Sequence, residues 1–258
     1  MISPLAHIDP KAQIGSNVTV EPFAYIQGDV VIGDDCWIGP HAVIMDGSRI
    51  GKNCKIFPSA VIGGIPQDLK FANEKTTAEI GDNTIVREFV TFNRGTTDKM
   101  KTVVGSNCLL MAYVHIAHDC IIGNNVILAN NVGLSGHCII EDWAILEGMV
   151  GLSQFVHIGA HSFVGGKSGV RKNVPPFVKA AREPLSFVGV NTVGMRRRGF
   201  SNEAIQQVED IYRTLYVKGL NVSNAVEIIE KESAESPEKK LILDFIRGSK
   251  DGIIRGIS

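Results

Sequence analysis

From Ile2 to Val170 an Ile, Leu or Val recurs at every sixth residue. The series runs Ile2, Ile8, Ile14, Val20 and on to Ile62, then Ile80 and Val86, then from Val104, Leu110 and Ile116 to Val164 and Val170. Four residues after each aliphatic stands something small, as at Ala6, Ala12, Ala24, Cys36 and Ala42, with Pro66 the exception. A period of six is neither the 3.6 of a helix nor the 2 of a simple strand, and a repeat this regular decides the architecture before any other feature.

The physical meaning is a solenoid. One hexad makes a short strand and a corner, three hexads close a triangular coil, and each coil hydrogen-bonds to the next at about 4.8 Å. The aliphatic points inward, and the position four residues later must be small because the interior narrows there. Glycine follows many of the aliphatics (Gly15, Gly33, Gly51, Gly81, Gly105, Gly123), which suits a tight corner. The gaps at 63–79 and 92–103 keep the count in phase and read as loops thrown out from a continuous coil. The pattern resembles the hexapeptide-repeat acyltransferases, which implies a left-handed parallel β-helix; the hand comes from the resemblance.

After Val174 the repeat stops at Pro175-Pro176. Ser201 caps a run with helical spacing (Ala204, Val208, Ile211, Leu215) that ends at Gly219. Two more helices are expected near 223–232 and 238–247, the last announced by Ser236-Pro237-Glu238. The expected organisation is a β-helix over 1–174 and a small C-terminal α-helical domain over 175–258, which would also cover an open end of the solenoid.

With a net charge of −1, nothing points to a nucleic-acid partner. No basic stretch followed by an apolar run opens the chain and no 18-residue apolar segment occurs, so a cytoplasmic protein without stable membrane insertion is expected. The five cysteines, Cys36, Cys54, Cys108, Cys120 and Cys138, all fall on the small inward position and read as core residues, not ligands or nucleophiles.

Function has to lie outside the coil. His115-Ile116-Ala117-His118-Asp119 places two histidines beside a carboxylate, and none of the seven histidines occupies an inward position of the hexad. Adding one coil of 18 stacks His118 on Gly136 and then Gln154, and Asp119 on His137, so these five form one outward patch. An imidazole beside a carboxylate is either a competent general base for a hydroxyl or a hydrogen-bonded surface cluster.

His115 to Cys120, Gln67-Asp68-Leu69-Lys70, Ser135-Gly136-His137, Gly189-Val190-Asn191 and Arg196-Arg197-Arg198-Gly199-Phe200 make the chain resemble the UDP-N-acetylglucosamine O-acyltransferases of lipid A biosynthesis over its whole length. The resemblance implies transfer of an (R)-3-hydroxyacyl chain from acyl carrier protein to the sugar 3-hydroxyl. It assigns His118 as general base, Asp119 as the group orienting the imidazole, and the Gly136 N–H to the oxyanion. It places Asp68, Lys70, His115 and His137 on the glucosamine and Gln67 and Gln154 on the acyl and sugar region. Asn191 and Arg198 go to the uridine and phosphates, with Arg197 counted among the binding residues. It further implies a homotrimer, no metal, no acyl-enzyme, and no cofactor beyond the thioester on the carrier protein. A column of small residues, Ala112, Asn130, Gly148 and Gly166, leaves a groove along the solenoid. The resemblance implies that the residue at Gly166 limits how far the acyl tail extends; a glycine there leaves room for about 14 carbons or more, each buried methylene contributing about 0.8 kcal/mol.

Two positions depart from the family: Ser153 stands where a histidine is common before Gln-Phe, and Val193 where an acidic residue often precedes the glycine. Other readings differ in testable ways. A γ-class carbonic anhydrase needs three zinc histidines, and His115 and His118 do not have that spacing. An acetyl-CoA-dependent or N-acyl hexapeptide transferase would show a different donor or acceptor. A scaffold solenoid would have neither loops nor a His-Asp cluster.

Overall fold

The computed structural model describes residues 1–256. Among the described residues 27 short strands stack into three sheets, parallel except for the last strand, that form the faces of a triangular prism. The first face holds nine strands, from His7–Ile8 through His115–Ile116 and Gly133–Leu134 to Gly169–Val170. The second holds eight, from Gln13–Ile14 to His157–Ile158, and the third ten, from Thr19–Val20 to Phe163–Val164 and then two later strands. In the regular coils each residue pairs with the one 18 positions on, as His115 with Gly133 and Gly133 with Gly151.

From Val18 onward both hexad positions are buried: Ile26, Ile44, Ile62, Ile116 and Leu128 are fully enclosed, and so are Ala42, Ala60 and Ala144 at the small position. All five cysteines are free and buried in this column, and Cys120 donates its thiol to the Ser135 carbonyl at 3.2 Å.

The corner glycines have a different role from the one their position suggests. Gly33 does not sit in the left-handed region; a Cβ on it would come within 2.7 Å of the Gly51 backbone on the next coil, so it is the approach of the coils that excludes a side chain. The left-handed corner positions are filled by Asn17, Asn53, Asn107 and Asn125, and also by Phe89, Tyr113, Trp143 and Phe155. Asparagine adopts this conformation readily, whereas an aromatic there costs about 1–2 kcal/mol. Stacking offsets part of that cost: Phe89 lies on Tyr113 at 5.0 Å and His137 on Phe155 at 4.6 Å.

The two interruptions are loops on a continuous coil. Ile50 pairs with Ile80 and Val86 with Leu110, steps of 30 and 24 residues in place of 18. The added lengths are thus both multiples of six. Flanking strands run into each loop, to Gly64 and from Thr77 at the first, and to Asn93 and from Lys101 at the second.

Beyond Val174 the chain is not purely helical. Val178–Ala181 joins the third face alongside Phe163–Val164, and Ser186–Val190 returns antiparallel to it. Tail packing, not a hexad, specifies these strands. Four helices follow: α1 (Thr192–Arg197), α2 (Asn202–Tyr216), α3 (Val222–Glu232) and α4 (Pro237–Gly248). Ser201, Asn221 and Ser236 cap the last three through their side chains. Ile205, Val208, Ile211 and Leu215 form the buried stripe of α2, and the Tyr212 hydroxyl donates to the Pro176 carbonyl at 2.5 Å. No helix among the described residues is long and apolar enough to cross a membrane.

Candidate active site

His118 and Asp119 turn the corner between the first and second faces, Asp119 in the left-handed conformation. They are not the fully outward pair expected from the coil count. Asp119 is wholly buried and His118 nearly so, because the second loop folds over them. The Asp119 carboxylate accepts four hydrogen bonds. Oδ1 takes Thr96 N at 3.0 Å and Lys99 N at 3.2 Å, while Oδ2 takes Thr96 Oγ1 at 2.6 Å and His118 Nδ1 at 2.8 Å. Burial pushes the carboxyl up, but the donors from Thr96, His118 and Lys99 outweigh it and hold Asp119 below the ordinary carboxylate range.

An ionised carboxylate only accepts, so His118 carries its proton on Nδ1 and leaves Nε2 as a base. The face of the ring lies against Gly136, where a Cβ would meet His118 Cε1 at 2.6 Å and Nε2 at 2.8 Å. Among the described residues the Gly136 N–H has no acceptor. His118, Asp119 and His137 bring ligating atoms within 4.8 Å of one another. A metal there would have to displace donors that already saturate Asp119, so the arrangement suits a proton relay rather than a metal centre.

A cavity of about 390 Å³ opens over His118, lined by Gln67, His115, Gly133, Gly136, Gly151 and Gln154. Burial lowers the His115 ring below the ordinary imidazole value, and its Nδ1 pairs with Thr91 Oγ1 at 2.7 Å. A second hollow of about 370 Å³ takes Asp68, Lys70, Thr96, Asp98 and His137. His137 is set edge-on to His118 at 5.1 Å, and its Nδ1 lies 3.1 Å from Asp98 Oδ2 without hydrogen-bond alignment. Gln67, Asp68 and Lys70, on the first loop, therefore reach both hollows.

The remaining expected residues lie elsewhere. Asn191 and Arg197 line a separate cavity of about 310 Å³ on the third face, with Phe163, Lys179, Thr192 and Val193. Asn191 also caps α1 and donates to the His161 carbonyl at 2.9 Å. Arg198 ends α1 on the corner between the second and third faces, donating to the Trp143 carbonyl at 2.9 Å, with its guanidinium 5.3 Å over the Trp143 ring. Arg196 and Arg197 thus form the last turn of α1. Gly166 occupies the corner between the third and first faces, its N–H on Glu147 Oε2 at 3.0 Å, and touches neither hollow. Beside His118 the small column is instead Gly133 and Gly151, paired in register with His115. Thr96 is the neighbour of this pair that the sequence did not announce, since nothing periodic marks a loop residue. Larger hollows around α2, α3 and α4, of about 800 and 660 Å³, hold no histidine.

Residues 173–257 match the family model described as UDP-N-acetylglucosamine O-acyltransferase, domain 2, and residues 29–64 and 101–136 match the bacterial transferase hexapeptide repeat. The acyl-[acyl-carrier-protein]–UDP-N-acetylglucosamine O-acyltransferase of Xanthomonas oryzae pv. oryzae is 46% identical over 257 residues, covering 99% of this chain and 98% of its own. The one from Pseudomonas syringae pv. syringae is 44% identical, covering 99% of both. Among solved structures, the UDP-N-acetylglucosamine acyltransferase from Bacteroides fragilis superposes with a TM-score of 0.96 at 50% identity, covering 99% of this chain and 100% of that one. The protein from Acinetobacter baumannii gives 0.95 at 41%, covering 98% and 99%.

Proposed function

Because this chain belongs to the UDP-N-acetylglucosamine O-acyltransferase family, whose fold is the left-handed parallel β-helix with a C-terminal helical part, we propose that His118 is the base of its acyl transfer. The enzyme moves an acyl chain from acyl carrier protein to an oxygen of UDP-N-acetylglucosamine, the reaction that opens lipid A biosynthesis. In the finer reading the chain is an (R)-3-hydroxyacyl group and the oxygen is the sugar 3-hydroxyl.

The observation that carries this is the His118–Asp119 pair at 2.8 Å, with Nε2 left for the cavity. His118 takes the hydroxyl proton as the oxygen attacks the thioester carbonyl, and the imidazolium then returns it to the leaving thiolate. The free Gly136 N–H faces the developing oxyanion, where one donor typically contributes about 3 kcal/mol. Gln67, His115 and Gln154 at this cavity, with Asp68, Lys70 and His137 at the second hollow, hold the sugar and acyl groups; all ligands needed are side chains and amides, with no cofactor beyond the carrier thioester.

Asn191, Arg197 and Arg198 serve the nucleotide, and Gly166 the acyl tail, from other faces of the prism. A homotrimer reconciles this, each site receiving the arginines of a neighbouring copy, as cyclic symmetry allows. A donor carried on acyl carrier protein suits an enzyme of the cytoplasm. The test is an assay of purified protein with UDP-N-acetylglucosamine and carrier-protein thioesters graded in length and 3-hydroxylation. Transfer from acetyl-CoA, or acceptance only of a 3-amino sugar, would replace this reading.

A further inference from the structure

We infer that Thr96, on the second loop, is a positioning residue that acts on His118 through Asp119. This rests on the reading of His118 as base. Thr96 is buried and supplies two of the four donors on Asp119, its N–H to one oxygen and its hydroxyl to the other. The direction of the hydroxyl proton follows from its neighbours. Thr96 Oγ1 accepts from Asp98 N at 3.3 Å, and the carboxylate can only accept, so the hydroxyl donates to Oδ2.

Oδ2 is the same oxygen that receives His118 Nδ1. The hydroxyl therefore shares its charge with the imidazole and limits how strongly Asp119 stabilises the imidazolium. It also holds the carboxylate in the rotation that aims Oδ2 at the ring. The reverse side of Asp119 is fixed independently, its own N–H donating to Thr102 Oγ1 at 2.8 Å. Thr96 thus tunes the base without touching substrate.

Thr96→Val keeps the shape and the backbone donor but removes the hydroxyl; Thr96→Ser keeps the hydroxyl. The charged or titratable groups facing the pair are His137 on the next coil, His115 on the strand before it, and Asp98 and Lys99 on the loop, all retained in both variants. With the hydroxyl gone, Asp119 gives its charge more fully to the imidazolium. The acidic limb of the kcat/KM profile then moves to higher pH by about half a unit or more. kcat falls about tenfold through looser alignment, KM for both substrates stays within about twofold, and Thr96→Ser restores the wild-type profile. An unmoved or lowered limb, a loss carried by KM, or a serine variant no better than valine overturns the inference. His118→Ala runs in the same assay: if it keeps activity, the base assignment falls, and the ring ¹⁵N signals of His118 then decide Thr96 alone. Signals altered in Thr96→Val and restored in Thr96→Ser support the positioning role; unchanged signals overturn it.

Discussion

The imidazole of His118 rests on the bare backbone of Gly136, one coil further on: no Cβ could be placed there without meeting the ring at 2.6 Å. Gly136→Ala should therefore tilt His118 and move its Nε2. Activity should fall about 100-fold, as expected for misplacement on the order of 1 Å, with an unchanged circular dichroism spectrum. Gly133→Ala, where a Cβ would meet nothing within 4 Å, tests whether bulk in the cavity alone matters. Near-normal turnover by Gly136→Ala would refute the role given to this contact.

His118→Ala should lower kcat by about 100- to 10,000-fold, the usual range for a lost general base, while leaving the melting temperature nearly unchanged. His157→Ala is the comparison. It should leave kcat close to wild type, because His157 lies on the second face, paired to Glu141 at 2.7 Å and packed on Phe245 of α4. It should instead lower the melting temperature by loosening the tail. A His118→Ala enzyme of normal activity would remove the base from the mechanism.

If neighbouring copies complete each site, His118→Ala and Arg198→Ala proteins, each inactive alone, should regain activity when unfolded together and reassembled. Sedimentation should show three copies per particle. A fully active monomer, or no recovery on mixing, would count against shared sites.

His161 provides the pH prediction. Burial, and then the adjacent Arg198 guanidinium, push its ring down to about 4. The unfolded chain, at the ordinary value near 6.5, takes up a proton between about pH 6.5 and 4 that the folded chain refuses. Its contribution to stability is therefore complete above pH 6.5 and lost as pH falls through that window. His161→Phe, which keeps the stack with Phe177 at 5.2 Å, should make the melting temperature less dependent on pH over this range. Equal slopes for the two proteins would contradict the assignment.

Gly166→Met should shift donor preference toward roughly 10 carbons while sparing His118 chemistry, with each excluded methylene costing about 0.8 kcal/mol. Competition between thioesters of different length measures it. Equal losses on every donor would mean that Gly166 serves the corner alone.

The coil was legible because one constraint, an inward aliphatic on a stacked triangular section, is imposed anew every six residues. Ile116 and Ile122 report it as plainly as Ile26. The pairing of His118 with Gly136 followed from the same count. Thr96 was not legible, because the second loop obeys no period and its contact with Asp119 depends on how the loop folds back. Nor was the strand pair Val178–Ala181 and Ser186–Val190, which is held by the tail and by Phe163–Val164 instead of by hexads. The aromatic corners at Phe89 and Trp143 break the local preference for asparagine, and stacking between coils, invisible along the chain, is what permits them.

His118, Gly136 and Gln154 stand on successive coils whose separation is fixed by an unbroken ladder of backbone hydrogen bonds. Such a frame has no hinge between these three residues, so it cannot close on a substrate as two-domain enzymes do. Discrimination must then be static: a ligand either matches a surface graduated in steps of about 4.8 Å or fails to align. Adaptation is left to the two loops, and to the single residues that change the height of a step.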